Sequence, residues 1–532
     1  MWLQIVESEA FTMNLIPTAP GSSPNYWCTW STQNFGRDDP NPDYRNYLGS
    51  AGSRFARGEM NEKNLRRWVV QFPKIRGDLY LLLDDGWDVP YGVHPDLQED
   101  RFGALAPDDE RFPSFTGTPA QRLKKLNDFV KEFGWRGLGL WVPAQAAGSL
   151  KKGPAMEAYW TERLFWCKEA GVEYWKVDWG TYAHDVEYRL FLTQLAAKIY
   201  PQLIVEHAYC MIPYNGNQLP TSEYSGGRFG EMTEVAQKSL EIHQFSQVFR
   251  TYDTFSQMGT ATTLDRAAHL LGGEGGLLTC EDNVRISASL GCTAGIMRSH
   301  YWNDIENLDY DSTLMRQQLD EVTAAVLWQR LAPAFSGGET VCSEEILTDR
   351  WLFRTGECWV DQVFGQEIHQ SAPAVIARNI PLPRVTAEKE RPFITCAQHP
   401  NGALSVAAHR RLLPTRQNVL PLCSVTLQPR NMVPYLGVFG SFQQVTVQLP
   451  AKLGQQMRVL GQSLLAQEAR DVTSQVRLSN QGELCIPGAL LEELYRPTAT
   501  PGDLSDPAVL FALIREPSDR AHYEGKGEGV VC

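Results

Sequence analysis

Leu79-Tyr80-Leu81-Leu82-Leu83 runs directly into Asp84-Asp85-Gly86-Trp87. An apolar strand that closes on two adjacent acids is costly when buried, unless water, a cation or a ligand meets the charge. The pattern returns three times. Val172-Glu173-Tyr174-Trp175-Lys176-Val177 closes on Asp178-Trp179, Leu203-Ile204-Val205 on Glu206-His207, and Gln247-Val248-Phe249-Arg250-Thr251-Tyr252 on Asp253. One such acid is also what a helix N-cap looks like. Four of them, with Trp and Lys beside them, ask for a shared explanation. The segments Tyr26–Gln33, Leu138–Val142, Gly276–Cys280 and Gly295–Ser299 share the strand texture and bring the count to eight, with Leu79–Asp84, Tyr174–Asp178, Leu203–His207 and Gln247–Tyr252. Helical patterns lie between them. Thr118-Pro119 is an N-cap followed by proline at the first helical position; Leu123, Leu126, Val130 and Phe133 recur at helical spacing, and Gly134 stands where a C-cap belongs. A second helix runs from about Met156 to Ala170 and stops at Gly171. Eight strands alternating with helices predict a parallel (β/α)8 TIM barrel, whose chemistry gathers at the C-terminal ends of its strands.

Past Trp351 the texture changes to short alternating runs, such as Gln444–Leu449, separated by turn pairs such as Pro487-Gly488. This predicts a C-terminal antiparallel β-sandwich domain. The stretch 375–392, rich in Pro, Arg and Glu, reads as a loop. The expected organisation is an N-terminal extension over 1–22, the catalytic barrel over 23–340, the β-sandwich over 341–520 and a tail over 521–532.

Composition narrows the function. The 532 residues carry 49 Lys and Arg against 62 Asp and Glu, a net charge of −13, which repels a polyanion and argues against nucleic acid. No apolar run approaches the ~18 residues of a membrane span. The first ten residues carry Glu7 and Glu9 and no long apolar block, so the expected location is cytoplasmic. The 11 cysteines are scattered without a C-x-x-C pair and read as reduced, mostly buried thiols. Neither they nor the scattered histidines cluster as ligands do, so no metal and no cofactor is expected. Self-association is compatible with the sequence. The 15 Trp suit a protein that stacks aromatic faces on sugar rings, although Trp also fills large cores.

Two facing carboxylates in a concave site suggest glycoside hydrolysis. On a strand, residues i and i+2 share a side, so Lys176 is expected beside Asp178, favouring its charged form and a nucleophilic role. Asp253, after an aromatic-rich strand end, is the candidate acid, and Arg250 is assigned to substrate hydroxyls. His94, His184, His207, His243 and His300 read as ordinary polar or core residues, and Cys280 as a buried inert thiol. Gly272-Gly273-Glu274-Gly275-Gly276 lacks the Lys-Ser/Thr of a phosphate loop and reads as a turn.

Over roughly residues 20–335 these motifs resemble the α-galactosidases of glycoside hydrolase family 27, with features of family 36 in the same clan. The resemblance implies Asp84 and Asp85 as ligands of the sugar's 4- and 6-hydroxyls next to Trp87, Trp30 and Trp141 as pocket aromatics, and Lys176-Val177-Asp178 as the motif whose Asp is the nucleophile. It further implies that Glu206 reads the 2-hydroxyl and that Arg250 precedes the acid/base Asp253. Glu281 and Asp282 look like a further substrate-binding acid. Ser225–Phe229 is similar to a glycine-rich segment of family 36. The implied protein is a retaining exo-glycosidase acting on a carbohydrate with a terminal α-D-galactosyl unit. β-L-arabinopyranosidase and α-N-acetylgalactosaminidase are alternatives on the same scaffold, and a carbohydrate-binding protein without catalysis is the alternative from another class. His207-Ala208-Tyr209-Cys210 after Glu206 departs from the family signature, which leaves recognition at the 2-position open.

Overall fold

The computed structural model describes residues 13–34, 57–91, 103–147, 150–209, 232–251, 259–297, 318–352, 367–413, 418–450 and 457–515. Eight parallel strands form a closed barrel in chain order: β1 (Asn25–Cys28), β2 (Leu79–Leu83), β3 (Gly137–Val142), β4 (Tyr174–Val177), β5 (Ile204–Ala208), β6 (Val248–Arg250), β7 (Leu277–Glu281) and β8 (Thr293–Ile296). Closure is made by Tyr26 opposite Gly295 and Trp27 opposite Ile296. All eight expected strands are present. The first is shorter than expected, because the chain turns at Thr29 into a helix over Trp30–Asn34 that is tied back by Thr29 Oγ1 donating to Gln33 Oε1 (2.6 Å).

Local chemistry accounts for the connecting helices. Thr118 and Gln121 form a reciprocal capping box at the start of Pro119–Glu132. The helix Pro154–Ala170 ends on Gly171, whose φ of 67° is the left-handed conformation a residue without Cβ adopts freely. At Gly276 the reason for glycine is space, since a Cβ there would lie 1.9 Å from the Ser246 carbonyl oxygen.

Strand alternation sorts the side chains into two layers. Trp27, Leu81, Leu140, Trp175, Val177, Val205 and Ile296 face outward into the core shared with the surrounding helices, while Phe249, Leu278 and Cys280 join a second outer cluster. The inward set has a different character. Its apolar members, among them Tyr26, Cys28, Leu82, Trp141 and Tyr174, form a small separate cluster, and its remaining members include Lys176, Glu206, Arg250, Thr279 and Glu281, all buried. The barrel is therefore lined by hydrogen-bonding and charged groups toward one end, and those groups need partners there.

The C-terminal domain packs an eight-stranded sheet with a five-stranded one. Most pairings are antiparallel; Val375–Arg378 with Phe393–Gln398, Leu404–His409 with Tyr435–Phe439, and Cys423–Leu427 with Gln444–Gln448 run parallel. The stretch expected as a loop holds two strands, Val375–Arg378 and Arg384–Ala387. Its charge misled because Arg378 is buried. The Arg378 guanidinium donates to the carbonyls of Leu290, Gly291 and Gly337 and lies over the Phe335 ring. The domain is fixed to the barrel through the helices Val284–Leu290 and Leu319–Trp328. Trp328 lies against Gly437, where a Cβ would come within 3.0 Å of the ring. Arg285 bridges Glu321 (3.0 Å) and Asp506 (2.8 Å). From the N-terminal extension, Leu15 N–H donates to Gln462 of the β domain and Gly21 N–H to Asp78 of the barrel.

Candidate active site

The acids that close β2 and β4 meet over the mouth of the barrel, each with its own partner. Asp84 Oδ2 accepts from Lys176 Nζ at 2.6 Å and from the Cys28 thiol at 3.0 Å, and its Oδ1 accepts from the Asp85 N–H at 2.9 Å. Side-chain exposures of 1% for Lys176 and 4% for Asp84 make this a desolvated pair. Lys176 was expected beside Asp178 on its own strand. It reaches across the barrel to the β2 end, where the barrel interior brings Asp84 within hydrogen-bond distance. Asp178 Oδ2 accepts from the Trp141 indole N–H at 3.0 Å and lies 3.8 Å from Arg250 Nη2. Burial and the Asp84 carboxylate together push the Cys28 thiol well above its ordinary range, so it remains a donor.

Asp85 turns away from Lys176 toward Arg57, whose Nε (2.9 Å) and Nη2 (2.7 Å) both donate to its Oδ2. Burial raises the Asp85 carboxyl, against the pull of Arg57. Oδ1 of Asp85 is buried without a hydrogen-bond partner among the described residues. Trp87 is fully buried and donates its indole N–H to the Trp141 carbonyl (3.0 Å), which braces the β2 and β3 ends against each other. Trp30 is 8% exposed and belongs to the interior cluster with Trp141. Trp179, half-buried, sets its ring 5.7 Å from that of Trp141, with the Arg57 guanidinium 5.7 Å above it.

Glu206 lies deeper. Its Oε2 accepts from the hydroxyls of Tyr174 (2.8 Å) and Thr279 (3.0 Å) and its Oε1 from Tyr26 (3.3 Å). Burial raises this carboxyl, while Arg250 and the Tyr174 hydroxyl oppose the rise. Arg250 donates from Nη1 to Glu281 Oε1 at 2.8 Å, an oxygen that also accepts from Tyr26 at 3.1 Å. Asp253 lies outside the described residues, as do Ser225–Phe229, His94 and His300.

His207 points out of the barrel between Arg189 (3.1 Å) and Thr193 (2.8 Å), and burial with the adjacent guanidinium holds it well below the usual imidazole range. His243 is likewise buried, with burial holding it down at about 4. Cys280 is a buried thiol on the outer side of β7.

Several residues that shape the site gave no sequence signal. Arg57 stands outside any strand. Arg189, wholly buried, donates to the backbone carbonyls of Val177, Asp178, Ala183 and Ala208, so it ties the β4 and β5 ends together from behind. Arginine is ordinarily an exposed residue, and neither position announces burial. Tyr174 could have been found by extending the i, i+2 rule down β4 from Asp178, whereas β1 ends in no acid and gives Tyr26 and Cys28 no such mark. Among the described residues no group of three or more His, Cys, Asp or Glu side chains could hold a metal ion, and no helix is long and apolar enough to cross a membrane.

No protein-family model matches the chain, and no curated protein matches it in sequence. Among solved structures it is similar to a family 27 β-L-arabinopyranosidase from Geobacillus stearothermophilus, at 10% identity over 96% of this chain and 98% of that one, with a TM-score of 0.37. An α-galactosidase from Saccharomyces cerevisiae with raffinose shows 12% identity over 93% and 95%, at 0.35. An α-amylase from Geobacillus thermoleovorans complexed with acarbose shows 10% over 93% and 99%, at 0.39. Identities and scores this low leave the chemistry to be read from the residues themselves.

Proposed function

We propose that the protein is a retaining exo-acting glycoside hydrolase that removes a terminal α-D-galactosyl unit or a sugar of the same ring-hydroxyl pattern. The observation that carries the reading is the setting of Asp178. It closes a barrel strand at the mouth, and its carboxylate is fixed by an indole N–H at 3.0 Å and flanked by a guanidinium at 3.8 Å. An ionised, oriented oxygen at the rim of a concave site is what displacement at an anomeric carbon needs. The Asp84–Lys176 pair and the unpartnered Asp85 Oδ1 offer acceptors and a donor for ring hydroxyls on one side, and Trp179 offers an aromatic face beside Trp141.

In the proposed reaction Asp178 attacks the anomeric carbon. The bond to the leaving oxygen breaks as Asp253 gives that oxygen its proton. Asp253 then takes a proton from water, the water oxygen bonds to the anomeric carbon, and Asp178 departs as carboxylate. Two inversions give net retention. β-L-Arabinopyranose has the same ring hydroxyls without the exocyclic CH2OH, and N-acetylgalactosamine differs at the 2-position, so an aryl-glycoside panel of the three compared by kcat/KM assigns the sugar. Asp178→Ala should lower turnover at least a thousandfold, and external azide should restore part of it as the glycosyl azide. An Asp178→Ala protein within tenfold of wild type refutes the assignment. Tight sugar binding by the wild type with no release of product over a day favours a binding protein without catalysis.

A further inference from the structure

β4 and β5 part at the mouth of the barrel. Their ladder ends at Val177 opposite His207, and the next carbonyls, of Asp178 and Ala208, are both acceptors that cannot bond one another. One guanidinium meets both. Arg189, wholly buried on the helix Val186–Ile199, donates from Nη2 to Asp178 O at 2.9 Å and to Ala208 O at 3.0 Å. It also donates from Nη1 to Val177 O at 3.0 Å and from Nε to Ala183 O at 2.8 Å. We infer that Arg189 is a positioning residue for the reaction: acting from outside the barrel, it sets the backbone of Asp178, and with it the direction in which that carboxylate leaves the strand end. The inference rests on the nucleophilic role of Asp178 proposed above.

The Asp178 backbone is gripped on both sides. Its N–H donates to Val142 O on β3 at 3.0 Å and its carbonyl accepts from Arg189, so the residue between has little freedom to turn. The segment that follows wraps the same side chain. Trp179 O accepts from the Ala144 N–H at 2.8 Å, and the chain returns through Ala183 to Asp185, the cap of the helix that carries Arg189. Arg189 is in turn set by His207. A guanidinium only donates, so its Nη1 contact at 3.1 Å makes His207 Nδ1 the acceptor and puts the ring proton on Nε2, toward Thr193 Oγ1 at 2.8 Å. That hydroxyl donates to the Arg189 carbonyl at 3.1 Å. Burial first, and the guanidinium second, keep the imidazole neutral and able to accept. Misplacing an attacking group by about 1 Å can cost about a hundredfold in rate, so a clamp on its backbone bears on turnover more than on binding.

Arg189→Lys keeps the charge, but a single ammonium cannot reproduce the planar fork that meets these four carbonyls. On the best aryl glycoside, well below the melting midpoint, its kcat should fall roughly tenfold or more while KM stays within about threefold of wild type. Independently of activity, the Trp141 indole 15N–1H resonance, assigned by its loss in Trp141→Phe, reports the Asp178 oxygen that it bonds at 3.0 Å, and it should move in Arg189→Lys. His207→Phe keeps a ring against Phe245 and deletes the acceptor of Nη1; it should move both readouts by less, with kcat down roughly threefold. A solely structural role would lower thermal stability in both variants and leave the resonance and the kcat of the folded protein in place. A folded Arg189→Lys protein with either readout at its wild-type value overturns the inference. Should Arg189→Lys not fold, His207→Phe carries the test by the same criterion. Failure of the nucleophilic reading is distinguishable: it shows as an Asp178→Ala enzyme within tenfold of wild type, while the indole resonance of Arg189→Lys still decides whether Arg189 sets the Asp178 side chain.

Discussion

Removing either member of the Asp84–Lys176 pair should cost far more than removing both. The ions approach to 2.6 Å with side-chain exposures of 4% and 1%. At an effective dielectric of about 20, unit charges at that distance attract by about 6 kcal/mol, and the desolvation of two ions offsets most of that gain. Lys176→Met strands a carboxylate whose remaining partners are the Cys28 thiol and the Asp85 N–H. Asp84→Asn takes the 2.6 Å counter-charge from a buried ammonium. Each single variant should lose about 3–5 kcal/mol. In the double variant neither charge of the pair remains, the Asp85 N–H can still donate to the Asn Oδ1 while the Asn Nδ2–H faces the Cys28 sulfur, and the loss should stay near about 2 kcal/mol. The cycle then returns a coupling of about 4–8 kcal/mol, far above the spread of independent sites. Because a two-domain chain need not unfold in one step, the readout is hydrogen exchange of peptides covering Leu79–Asp84 and Tyr174–Asp178, which reports the opening of the barrel strands alone. Additive losses, with coupling under about 1 kcal/mol, would mean that the pair is solvated, and the reasoning would fail.

Trp141→Phe keeps a ring and deletes the N–H that Asp178 accepts at 3.0 Å; a hydrogen bond to a charged group is worth about 1.5–3 kcal/mol, so kcat on an aryl glycoside should fall roughly ten- to a hundredfold with KM changed less. An unchanged kcat would remove Trp141 from the machinery. Burial lifts Asp88 from 3.8 to about 7, against the Leu105 N–H that its Oδ2 accepts and with help from the charge of Asp85. With the folded value above the unfolded one, this group's stabilisation is complete below about pH 4 and is lost as pH rises through 7, in total about 4 kcal/mol. Asp88→Asn should therefore gain about 2–3 kcal/mol relative to wild type between pH 5 and pH 8, checked by thermal melts at both; equal differences at the two pH values would place the carboxyl in water.

The strand-closing acids made the barrel legible because apolar runs that end in charge mark a position along the chain and a direction in space at once. Boundaries were less visible. Trp30 sits in an apolar-aromatic run that reads as strand, yet the chain turns at Thr29, whose hydroxyl is engaged by Gln33 and by the Asp84 N–H. Those contacts are set by the tertiary fold. The β strand Val375–Arg378 was hidden for a related reason, since a single Arg counted as surface is buried under three carbonyls. In the site, the sequence identified which acids close the strands but not which cation each would take.

That pairing is where the fold adds information. A strand-local rule assigns Lys176 to Asp178, two residues on, yet in a closed barrel the nearest charge is as often on another strand. Lys176 goes to Asp84 and Arg57 to Asp85, and Arg250 goes to Glu281. Each cation is thereby committed at 2.6–2.8 Å to an acid other than Asp178. Asp178 accepts from a neutral donor, the Trp141 indole, at 3.0 Å and lies 3.8 Å from the Arg250 guanidinium. A neutral N–H orients a carboxylate with less quenching of its charge than a contact ion pair would cause. On the nucleophilic role proposed for Asp178, the acids that take Lys176, Arg57 and Arg250 at 2.6–2.8 Å hold those three cations at other carboxylates, and that gives a barrel a physical reason to close several strands on aspartate and glutamate.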